Sequence, residues 1–349
     1  MTPDDPRRSD RPSDVTRVTI VIVPRERFGV TQRALEAIYA NTPEPFHLVY
    51  VDGGSPAPIR SYLTREAKAR GFTLVRTDHY LAPNEARNLG LRHVDTPYVV
   101  FIDNDVVPSP GWLGRLLECA ETTGAWVVGP TYLIGEPEHG EIHMAAGDAH
   151  IETWRGGRRF IDRHRFAGKR LAEMRPHLTR IPCEQVEFHC MLVRMEVFAQ
   201  LGPLDERLRS VCEHSDLCLL VRQHGHEVYF EPESVVTYVT TGRFRWSDYR
   251  FFFHRWSDSW NDTSLQWFRA KWELHPDDPG TKALERFATA HRRIPFDPLL
   301  RGLRRLLGWR WGRWVGDTVL MGLERRINRH WVRPLSVLIL SAPTALSNL

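Results

Sequence analysis

The sequence predicts an α/β protein built on a mainly parallel β-sheet, with a helical extension at its C-terminal end. Three observations lead to this fold class. From about residue 15, apolar β-branched segments alternate with amphipathic segments of about ten or more residues, which is typical of strand–helix–strand crossovers. Polar residues directly follow several of the predicted strands. After about residue 135 the alternation stops, and shorter strand-like segments take its place.

The first half of the chain contains the regular alternation. Runs of β-branched and aromatic residues predict strands, and apolar residues at spacings of three and four predict helices. The predicted strands cover residues 15–24, 47–54, 72–77, 98–105 and 125–133. The predicted helices cover residues 30–41, 57–70, 84–93 and 111–122.

The second half is predicted to be less regular, with a basic loop rich in glycine and arginine near its start. Strands are predicted at residues 141–152, 186–194 and 227–232, a helix at 213–225, and an aromatic helical block at 246–272. In that block, aromatic side chains at helical spacing predict a stripe packed in a core, with stacking on a sugar ring as the alternative. The stripe consists of Tyr249, Phe252, Trp256 and Trp260.

Composition narrows the functional class and the compartment. The chain has 47 basic and 43 acidic residues, a net charge of +4 that does not point to nucleic acid. Its five cysteines are odd in number and form no CxxC pair, which favours a reducing compartment over a disulfide framework. Residues 1–14 are proline-rich and charged without an apolar core, so they predict a disordered tail and not a signal peptide. A cytoplasmic location is expected.

Polar residues cluster where ligands bind in parallel sheets, beyond the carboxyl ends of the strands. The first predicted strand ends at Pro24, Arg25 and Glu26, the second at Asp52, and the fourth at residues 103–105. Neither a GxGxxG sequence nor a P-loop sequence follows any of these strands. The dinucleotide-binding and P-loop classes therefore lose their main support.

The stretch YVVFIDNDVVP at residues 98–108 ends a buried strand in two aspartates, Asp103 and Asp105. In a turn, two carboxylates converge on one cation. Hard divalent ions such as Mg²⁺ and Mn²⁺ take carboxylate oxygens as ligands and leave positions open for substrate phosphates. The sequence therefore predicts a divalent-cation site here, with an ordinary turn as the alternative.

Six segments between residues 15 and 245 together resemble the inverting GT-A glycosyltransferases, and most of all glycosyltransferase family 2. In the order expected of that family, they are VTIVIVPRERFGVTQRALEAI, VYVDGGS, NEARNLGL, FIDNDVVP, LVRMEVFAQLGPLDERL and CEHSDLCLLVRQHGHEVYFEPESVV. The resemblance implies a GT-A fold, a layered α/β/α structure with a mainly parallel, mixed sheet. In it, residues from about 15 to 134 bind the nucleotide and residues from about 135 to 245 bind the acceptor.

The resemblance also implies roles for single residues. Asp52 is expected to contact the nucleobase, Asp103 the ribose or the metal, and Asp105 the metal that bridges the two phosphates. Further contacts to the nucleotide sugar are expected from Pro24, Arg25, Glu26, Arg87, Asn88 and Asn104. For Arg87, an ordinary exposed helical arginine is the alternative.

The catalytic base departs from the family pattern. Relatives take it from an E-D-x-D sequence, whereas this chain has Glu213-His214-Ser215-Asp216. His214, Asp216 and Glu213 are therefore the candidate catalytic residues, and a neutral imidazole is a competent base near neutral pH. The alternative is that the acidic residues only stabilise the start of a helix.

A histidine that completes the metal site in relatives is also missing from its expected position. Thr237, Tyr238 and Val239 stand there instead, and tyrosine is a poor ligand for Mg²⁺. Candidates elsewhere in the chain are His143, His189 and His254.

Residues 296–349 are predicted to form basic amphipathic helices. Between residues 301 and 333, nine arginines stand against two acidic residues. A helical face is predicted from Leu300, Leu303, Leu307, Trp311 and Trp314. Arginines beside leucines and tryptophans predict attachment to a membrane surface, at its inner face, and the last sixteen residues are too short to span a bilayer. A hairpin packed on the enzyme itself, or on a second copy in a homo-oligomer, is the alternative.

The sequence as a whole predicts a metal-dependent, inverting glycosyltransferase. Its donor is expected to be a nucleoside-diphosphate sugar, foremost a UDP-sugar, and its acceptor a hydroxyl of a glycan or a lipid-linked glycan. In this interpretation the catalytic domain covers residues 15–245, and an aromatic helical extension covers 246–295. Two alternatives stay open: a nucleotidyltransferase of similar layered fold, and a non-catalytic scaffold that binds nucleotide sugars.

Overall fold

The structure is a computed structural model, and it describes residues 16–240 and 244–328; the predicted tail at residues 1–14 lies outside these ranges. The described strands are β1 Val18–Val23, β2 His47–Gly53, β3 Thr73–Thr77, β4 Tyr98–Asp103, β5 Val106–Pro108, β6 Val127–Ile134, β7 Glu141–Met144, β8 Gly147–Trp154, β9 Gly157–His164, β10 Ile181–Cys183, β11 Cys190–Arg194 and β12 Val228–Tyr238. The described helices are α1 Thr31–Asn41, α2 Ala57–Arg70, α3 Pro83–Leu91, α4 Trp112–Thr123, α5 Leu171–Met174, α6 Glu196–Leu201, α7 Glu213–Gln223, α8 Trp246–Arg255, α9 Asp258–Lys271, α10 Pro279–His291, α11 Asp297–Val315 and α12 Met321–Ile327.

One large mixed sheet organises the molecule. Its strand order is β10-β12-β6-β11-β4-β1-β2-β3, with β5 paired to β12 and β7 paired to β6. Strands β4, β1, β2 and β3 are parallel to one another, and so are β6 and β12, whereas β11 runs antiparallel between β4 and β6. The predicted mainly parallel, mixed sheet is confirmed. All four parallel strands of the first half end at the same edge, so their C-terminal residues meet there.

The centre of the sheet forms the main core. Every residue of β1 and of β4 is buried, as expected for strands covered by helices on both faces. Helix α3 lies close against β1: a Cβ added at Gly90 would stand 2.3 Å from Val21 Cγ1. The absence of a side chain at Gly90 therefore allows α3, which carries Arg87 and Asn88, to approach the strand.

A second hydrophobic core joins the aromatic helices to the second half of the chain. The predicted helical block divides into α8 and α9, and the stripe within it is buried at Phe252, Trp256 and Trp260, which confirms core packing for these three. Residues of α7, β8, β9 and α10 pack in the same core as Phe252 and Trp256. The predicted basic loop between residues 152 and 186 is wrong in part, because residues 157–164 form β9, which pairs with β8.

The C-terminal helices form a hairpin and not the single continuous face predicted from the sequence. At Gly308 a backbone φ of 73° interrupts α11, a conformation that suits glycine. Residues 309–315 then fold back, so that an added Cβ at Gly312 would stand 2.6 Å from Arg304 Cα. Helix α12 is held to the body by Glu324, whose Oε1 lies 2.9 Å from Arg292 Nε. Within the described ranges, we find no helix of the length and apolarity needed to cross a membrane, and residues 329–349 lie outside them.

Candidate active site

The turn after β4 is tied to the turn after β1 through Asn104. Its side-chain oxygen accepts a hydrogen bond from Arg25 N at 2.8 Å. Its amide nitrogen donates to Arg27 O at 3.2 Å and to Thr31 Oγ1 at 3.0 Å. Asn104 therefore braces the two turns, and this fixes the aspartates on either side of it.

Asp105 is a fully buried carboxylate, and neither of its oxygens has a hydrogen-bond partner. Burial, together with the negative charges of Asp103 and Glu26, raises the pKa of Asp105 well above its usual value, while the nearby Arg25 opposes this. Two carboxylate oxygens without partners beside further acidic groups form a donor set that suits a hard divalent cation. The residues present therefore fit the predicted ion.

Asp103 is buried too, but its Oδ2 atom has a hydrogen-bond partner, and its Oδ1 atom, which has none, lies near a guanidinium group. His189 Nδ1 lies 3.0 Å from Oδ2, Arg25 Nε lies 3.5 Å from the same oxygen, and Arg87 Nη2 lies 3.7 Å from Oδ1. Burial alone would raise the pKa of Asp103, but the His189 hydrogen bond and the two guanidinium groups lower it overall. The two aspartates of the motif thus have different environments, one charge-paired and one not.

Glu26 connects the site to the aromatic helices. Tyr238 Oη donates to its Oε2 at 2.8 Å, Trp256 Nε1 donates to its Oε1 at 3.0 Å, and His291 Nε2 lies 3.3 Å from Oε1. The charge and hydrogen bond of His291, the charge of Arg25 and the Tyr238 hydrogen bond outweigh the effect of burial and lower the pKa of Glu26. Glu26 therefore stays ionised, although it is 2% exposed. Sequence reasoning did not anticipate Tyr238 or Trp256 as neighbours of this carboxylate, because each lies more than two hundred residues away in the chain.

Asp52 ends β2 and is held by neighbours of its own. Its Oδ1 accepts from Ser55 N and its Oδ2 from Ser55 Oγ, both at 2.9 Å, and Arg76 also donates to Oδ2. An added Cβ at Gly53 would meet Pro24 Cγ at 3.2 Å, so the ends of β1 and β2 lie side by side. The predicted nucleobase contact and the predicted phosphate-side residues thus share one edge of the sheet.

Arg87 and Asn88 on α3 differ in how many of their polar side-chain atoms already have hydrogen-bond partners. Arg87 is 2% exposed and lies over the Phe188 ring at 3.9 Å, and burial lowers its pKa to about 10. The alternative of an exposed arginine is therefore wrong. Asn88 donates to Leu204 O at 2.8 Å and to Glu206 Oε1 at 2.9 Å, and its oxygen accepts from Leu204 N at 3.0 Å. Its polar atoms are used to hold the segment before α7.

Two of the three candidate catalytic residues on α7 are paired with the aromatic helices. Glu213 Oε1 lies 3.2 Å from Arg255 Nη2, and both side chains are buried. Asp216 accepts from Lys271 Nζ at 2.7 Å and from Trp272 Nε1 at 2.9 Å. Both carboxylates therefore have structural partners.

His214 differs from them, because its Nε2 is buried without a hydrogen-bond partner. Burial lowers the pKa of His214, although the negative charges of Glu187, Asp162 and Glu213 act in the opposite direction. The ring is accordingly neutral near pH 7, with Nε2 available to accept a proton in one of its two tautomers.

A cluster of imidazoles lies around Glu187 beside Asp103. His143 Nε2 is 3.0 Å and His189 Nε2 is 4.0 Å from Glu187 Oε2, and His164 Nε2 is 3.6 Å from Glu187 Oε1. The sequence pointed to His143 and His189 as candidate metal ligands but not to Glu187 or His164. The number of histidines after residue 135 is the only sequence signal for His164, and Glu187 has none. The third candidate, His254, lies elsewhere, in van der Waals contact range of Trp260 with ring centroids 4.5 Å apart.

Comparison with known proteins decides the family. Residues 19–202, more than half of the chain, match the sequence model described as Glycosyl transferase family 2. The chain belongs to glycosyl transferase family 2. Among curated proteins, this family 2 chain is 26% identical over 221 residues to the pre-mycofactocin glycosyltransferase of Mycobacterium tuberculosis, an alignment that covers 63% of the chain and 42% of that relative. It is 35% identical over 105 residues to the succinoglycan biosynthesis protein ExoW of Rhizobium meliloti, over 28% of the chain and 32% of that protein.

Among solved structures, the family 2 chain is similar to GalNAc-T7 with UDP, GalNAc and Mn²⁺. The TM-score is 0.50 at 16% sequence identity, over 65% of this chain and 43% of that chain. At this identity the similarity establishes the fold, and the predicted GT-A fold is confirmed. The chain spans less than half the length of these curated relatives and of this structure, so the comparisons establish its family and fold.

Proposed function

We propose that this chain transfers a sugar from a nucleoside-diphosphate sugar, foremost a UDP-sugar, to a hydroxyl of a glycan or a lipid-linked glycan, with inversion at the sugar carbon. The observation that carries the proposal is Asp105 in the turn after β4, a fully buried carboxylate with two unpartnered oxygens. The family match and the GT-A fold support sugar transfer in particular.

In this proposal Asp105, together with Asp103, holds a Mg²⁺ or Mn²⁺ ion. When bound, such an ion neutralises the charge that develops on the departing diphosphate. GalNAc-T7 is described with UDP and Mn²⁺, which supports this combination of nucleotide and cation. Arg25 and Arg87, which both face Asp103, supply positive charge on the protein side of the diphosphate. Asp52 and Arg76 border the nucleobase.

His214 is the proposed general base. The acceptor oxygen forms a bond to the anomeric carbon, the bond from that carbon to the diphosphate oxygen breaks, and the hydroxyl proton moves to Nε2 of His214. The absence of any partner at Nε2 and the lowered pKa support this role, because both favour a neutral, accepting imidazole. Glu213 and Asp216 are weaker candidates, since their oxygens are paired with Arg255, Lys271 and Trp272.

The hairpin of α11 is the proposed membrane contact, at the inner face of an anionic bilayer. Leu306, Trp309, Trp311 and Trp314 are between 57% and 83% exposed. Arg305, which precedes Leu306 in the chain, is exposed too, and Arg304 lies over the Trp309 ring at 4.9 Å, so basic and apolar groups occur together in this hairpin. Tryptophan and arginine together favour the interface of a bilayer with anionic headgroups.

The membrane proposal is tested with the triple variant Trp309→Ser, Trp311→Ser, Trp314→Ser. Wild type is expected to sediment with vesicles that contain phosphatidylserine and to remain free of vesicles of phosphatidylcholine alone. The triple variant is expected to lose most of this binding. Unchanged vesicle binding, or an oligomer in wild type that dissociates in the variant, would show that this surface serves another purpose.

The donor site is tested by calorimetry of UDP binding with and without Mn²⁺. In wild type, Mn²⁺ is expected to tighten UDP binding, and in Asp105→Asn this gain is expected to disappear. Because Asp105 makes no hydrogen bond and lies beside other negative charges, the variant is expected to be at least as stable as wild type. Asp95→Asn, at an exposed aspartate, is the matched control. Equal Mn²⁺ dependence in wild type and Asp105→Asn would refute the metal assignment.

Turnover separates the proposal from its alternatives. Purified protein is incubated with a panel of nucleotide sugars, and release of the nucleoside diphosphate is measured. Release of pyrophosphate from a nucleoside triphosphate and a sugar phosphate would indicate a nucleotidyltransferase instead. Tight donor binding without turnover of any donor on the panel, with or without candidate acceptors, would indicate a scaffold.

A further inference from the structure

Three side chains near the donor site form a second group of metal-ligand atoms. They are His143 on β7, Glu187 in the segment before β11, and His189 at its end. One ligand atom from each lies within 4.8 Å of the other two. The Oε2 atom of Glu187 is buried, with the imidazole nitrogens of His143 at 3.0 Å and of His189 at 4.0 Å as its charged or polar neighbours, and the Glu187 side chain is more than nine-tenths buried. An acceptor in this environment is costly unless something positive engages it.

Asp103 orients one of these ligands. The imidazole of His189 directs Nδ1 to Asp103 Oδ2 at 3.0 Å, so Nε2 points to the opposite side of the ring, where Glu187 Oε2 lies 4.0 Å away. A carboxylate that holds the second nitrogen of a histidine fixes both the tautomer and the direction of the ligating nitrogen. The ring of Tyr238 stacks on that of His189 at 4.4 Å and restricts its rotation. Asp103 is thereby separated from the centre of the three ligand atoms by the width of an imidazole.

The backbone of Glu187 is fixed as well. Tyr132 Oη accepts from Glu187 N and donates to Glu187 O, each at 2.9 Å. Tyr132 itself is fully buried. Two of the three ligands are therefore held by buried neighbours, while His143, at the edge of the cluster, is partly exposed and open to an ion from solvent.

The ligand set differs in chemistry from the pair of aspartates. Two imidazole nitrogens and one carboxylate suit zinc and similar transition metals, whereas Mg²⁺ prefers oxygen ligands alone. Ligands about 2.1 Å from a tetrahedral ion stand about 3.4 Å apart. The separations of 3.0 and 4.0 Å from Glu187 Oε2 bracket this value, and the two imidazole nitrogens lie within 4.8 Å of each other, so shifts of about 1.5 Å or less close the site.

We propose that His143, Glu187 and His189 bind one divalent transition-metal ion of the zinc type, at a site separate from the cation site of Asp105. With water as the fourth ligand, the ion joins β7 to the segment before β11. It holds His189 in the orientation that contacts Asp103. The site is thus a positioning element for the aspartate motif, and it does not depend on which sugar is transferred.

The test is titration of the purified, metal-free protein with Co²⁺, whose visible absorption reports nitrogen ligands and low coordination number, followed by competition with Zn²⁺. No nucleotide is added. We expect one equivalent of Co²⁺ with the visible spectrum in wild type, displaced by Zn²⁺. Glu187→Gln and His143→Ala are expected to weaken binding more than about 100-fold, because loss of a ligand costs more than loss of a neighbour that orients it.

Two control variants distinguish this site from others. Asp105→Asn is expected to keep the Co²⁺ spectrum while it loses the Mn²⁺ dependence of UDP binding, so the second site and the proposed donor site fail or succeed separately. His224→Ala removes an exposed histidine that only contacts the backbone of its own helix, and is expected to change nothing. If Glu187→Gln does not fold, the loss of Co²⁺ binding is measured with His143→Ala alone, because His143 is the partly exposed ligand. The proposal is overturned if wild type gives no such spectrum, if both ligand variants bind as wild type does, or if Asp105→Asn abolishes the spectrum.

Discussion

Replacement of Asp216 distinguishes a structural role from a catalytic role for this carboxylate on α7. Its Oδ2 accepts from Lys271 Nζ at 2.7 Å and its Oδ1 from Trp272 Nε1 at 2.9 Å, and the residue is 3% exposed. Lys271 and Trp272 lie at the end of α9, so this carboxylate ties the aromatic helices to the helix that carries His214. Replacing Asp216 therefore perturbs the contact between these helices.

The expected loss of stability follows from these two contacts of Asp216. In Asp216→Asn, the amide oxygen still accepts from Trp272, but the charge-assisted hydrogen bond from Lys271 is lost, and such bonds contribute about 1.5–3 kcal/mol. Lys271 is partly exposed and lies 3.5 Å from Asp205 Oδ2, so water and Asp205 compensate part of this loss. The expected net decrease in the free energy of unfolding is about 1–2 kcal/mol. Asp216→Ala also leaves the buried Trp272 Nε1 without an acceptor, which raises the expected cost to about 3–5 kcal/mol.

The assay combines urea unfolding with sugar transfer. Unfolding free energies of wild type, Asp216→Asn, Lys271→Met and the double variant form a cycle, and the coupling between the two residues is expected to be about 1–2 kcal/mol. Transfer by folded Asp216→Asn is expected to stay within a few-fold of wild type, whereas His214→Ala is expected to lose about 10²–10⁴ in rate at unchanged donor affinity. A loss of that size in Asp216→Asn, with its stability unchanged, would refute the structural role and make Asp216 the base.

Three further predictions concern stability. Burial lowers the pKa of His254 to about 4, so between pH 6.5 and 4 only the unfolded chain binds its proton. The free energy of unfolding that neutral His254 contributes is therefore complete above pH 6.5 and falls by about 2 kcal/mol by pH 5. Urea unfolding of wild type and of His254→Gln at pH 7.5 and 5 measures this loss, and an equal loss of stability in both proteins would contradict the prediction. Arg292→Met leaves Glu324 buried without its cation and is expected to cost about 3–5 kcal/mol; unchanged hydrogen exchange in α12 would show that the pair does not hold this helix. Gly90→Ala is expected to lower the free energy of unfolding by about 1–3 kcal/mol through overlap with β1. Gly302→Ala, with open space around it, is the control and is expected to be neutral or stabilising; similar losses of stability in both variants would argue against close packing at Gly90.

The sequence by itself determined the regular part of the fold and the place of the site. The strand predicted at residues 98–105 is β4, Tyr98–Asp103, and the helix predicted at 57–70 is α2, Ala57–Arg70. These elements are encoded by local periodicity and by turn residues, which a single sequence displays directly. The meeting of Pro24, Asp52 and Asp103 at one edge follows from the rule that parallel strands end together. Strand β5, three residues long and directly after the aspartate motif, was missed because so short a segment has no periodicity.

Only the tertiary structure decided which polar atoms are already paired. Asp103 and Asp105 are two residues apart, yet one contacts His189 and the other has no hydrogen-bond partner. Asp216 is paired by Lys271, and Glu26 by Trp256. These partners lie between 55 and 230 residues away along the chain. Such pairs depend on the path of the whole chain, and a local pattern does not encode that path. The sequence therefore indicated which polar residues gather at the candidate site, and packing decides which of its carboxylates already have partners.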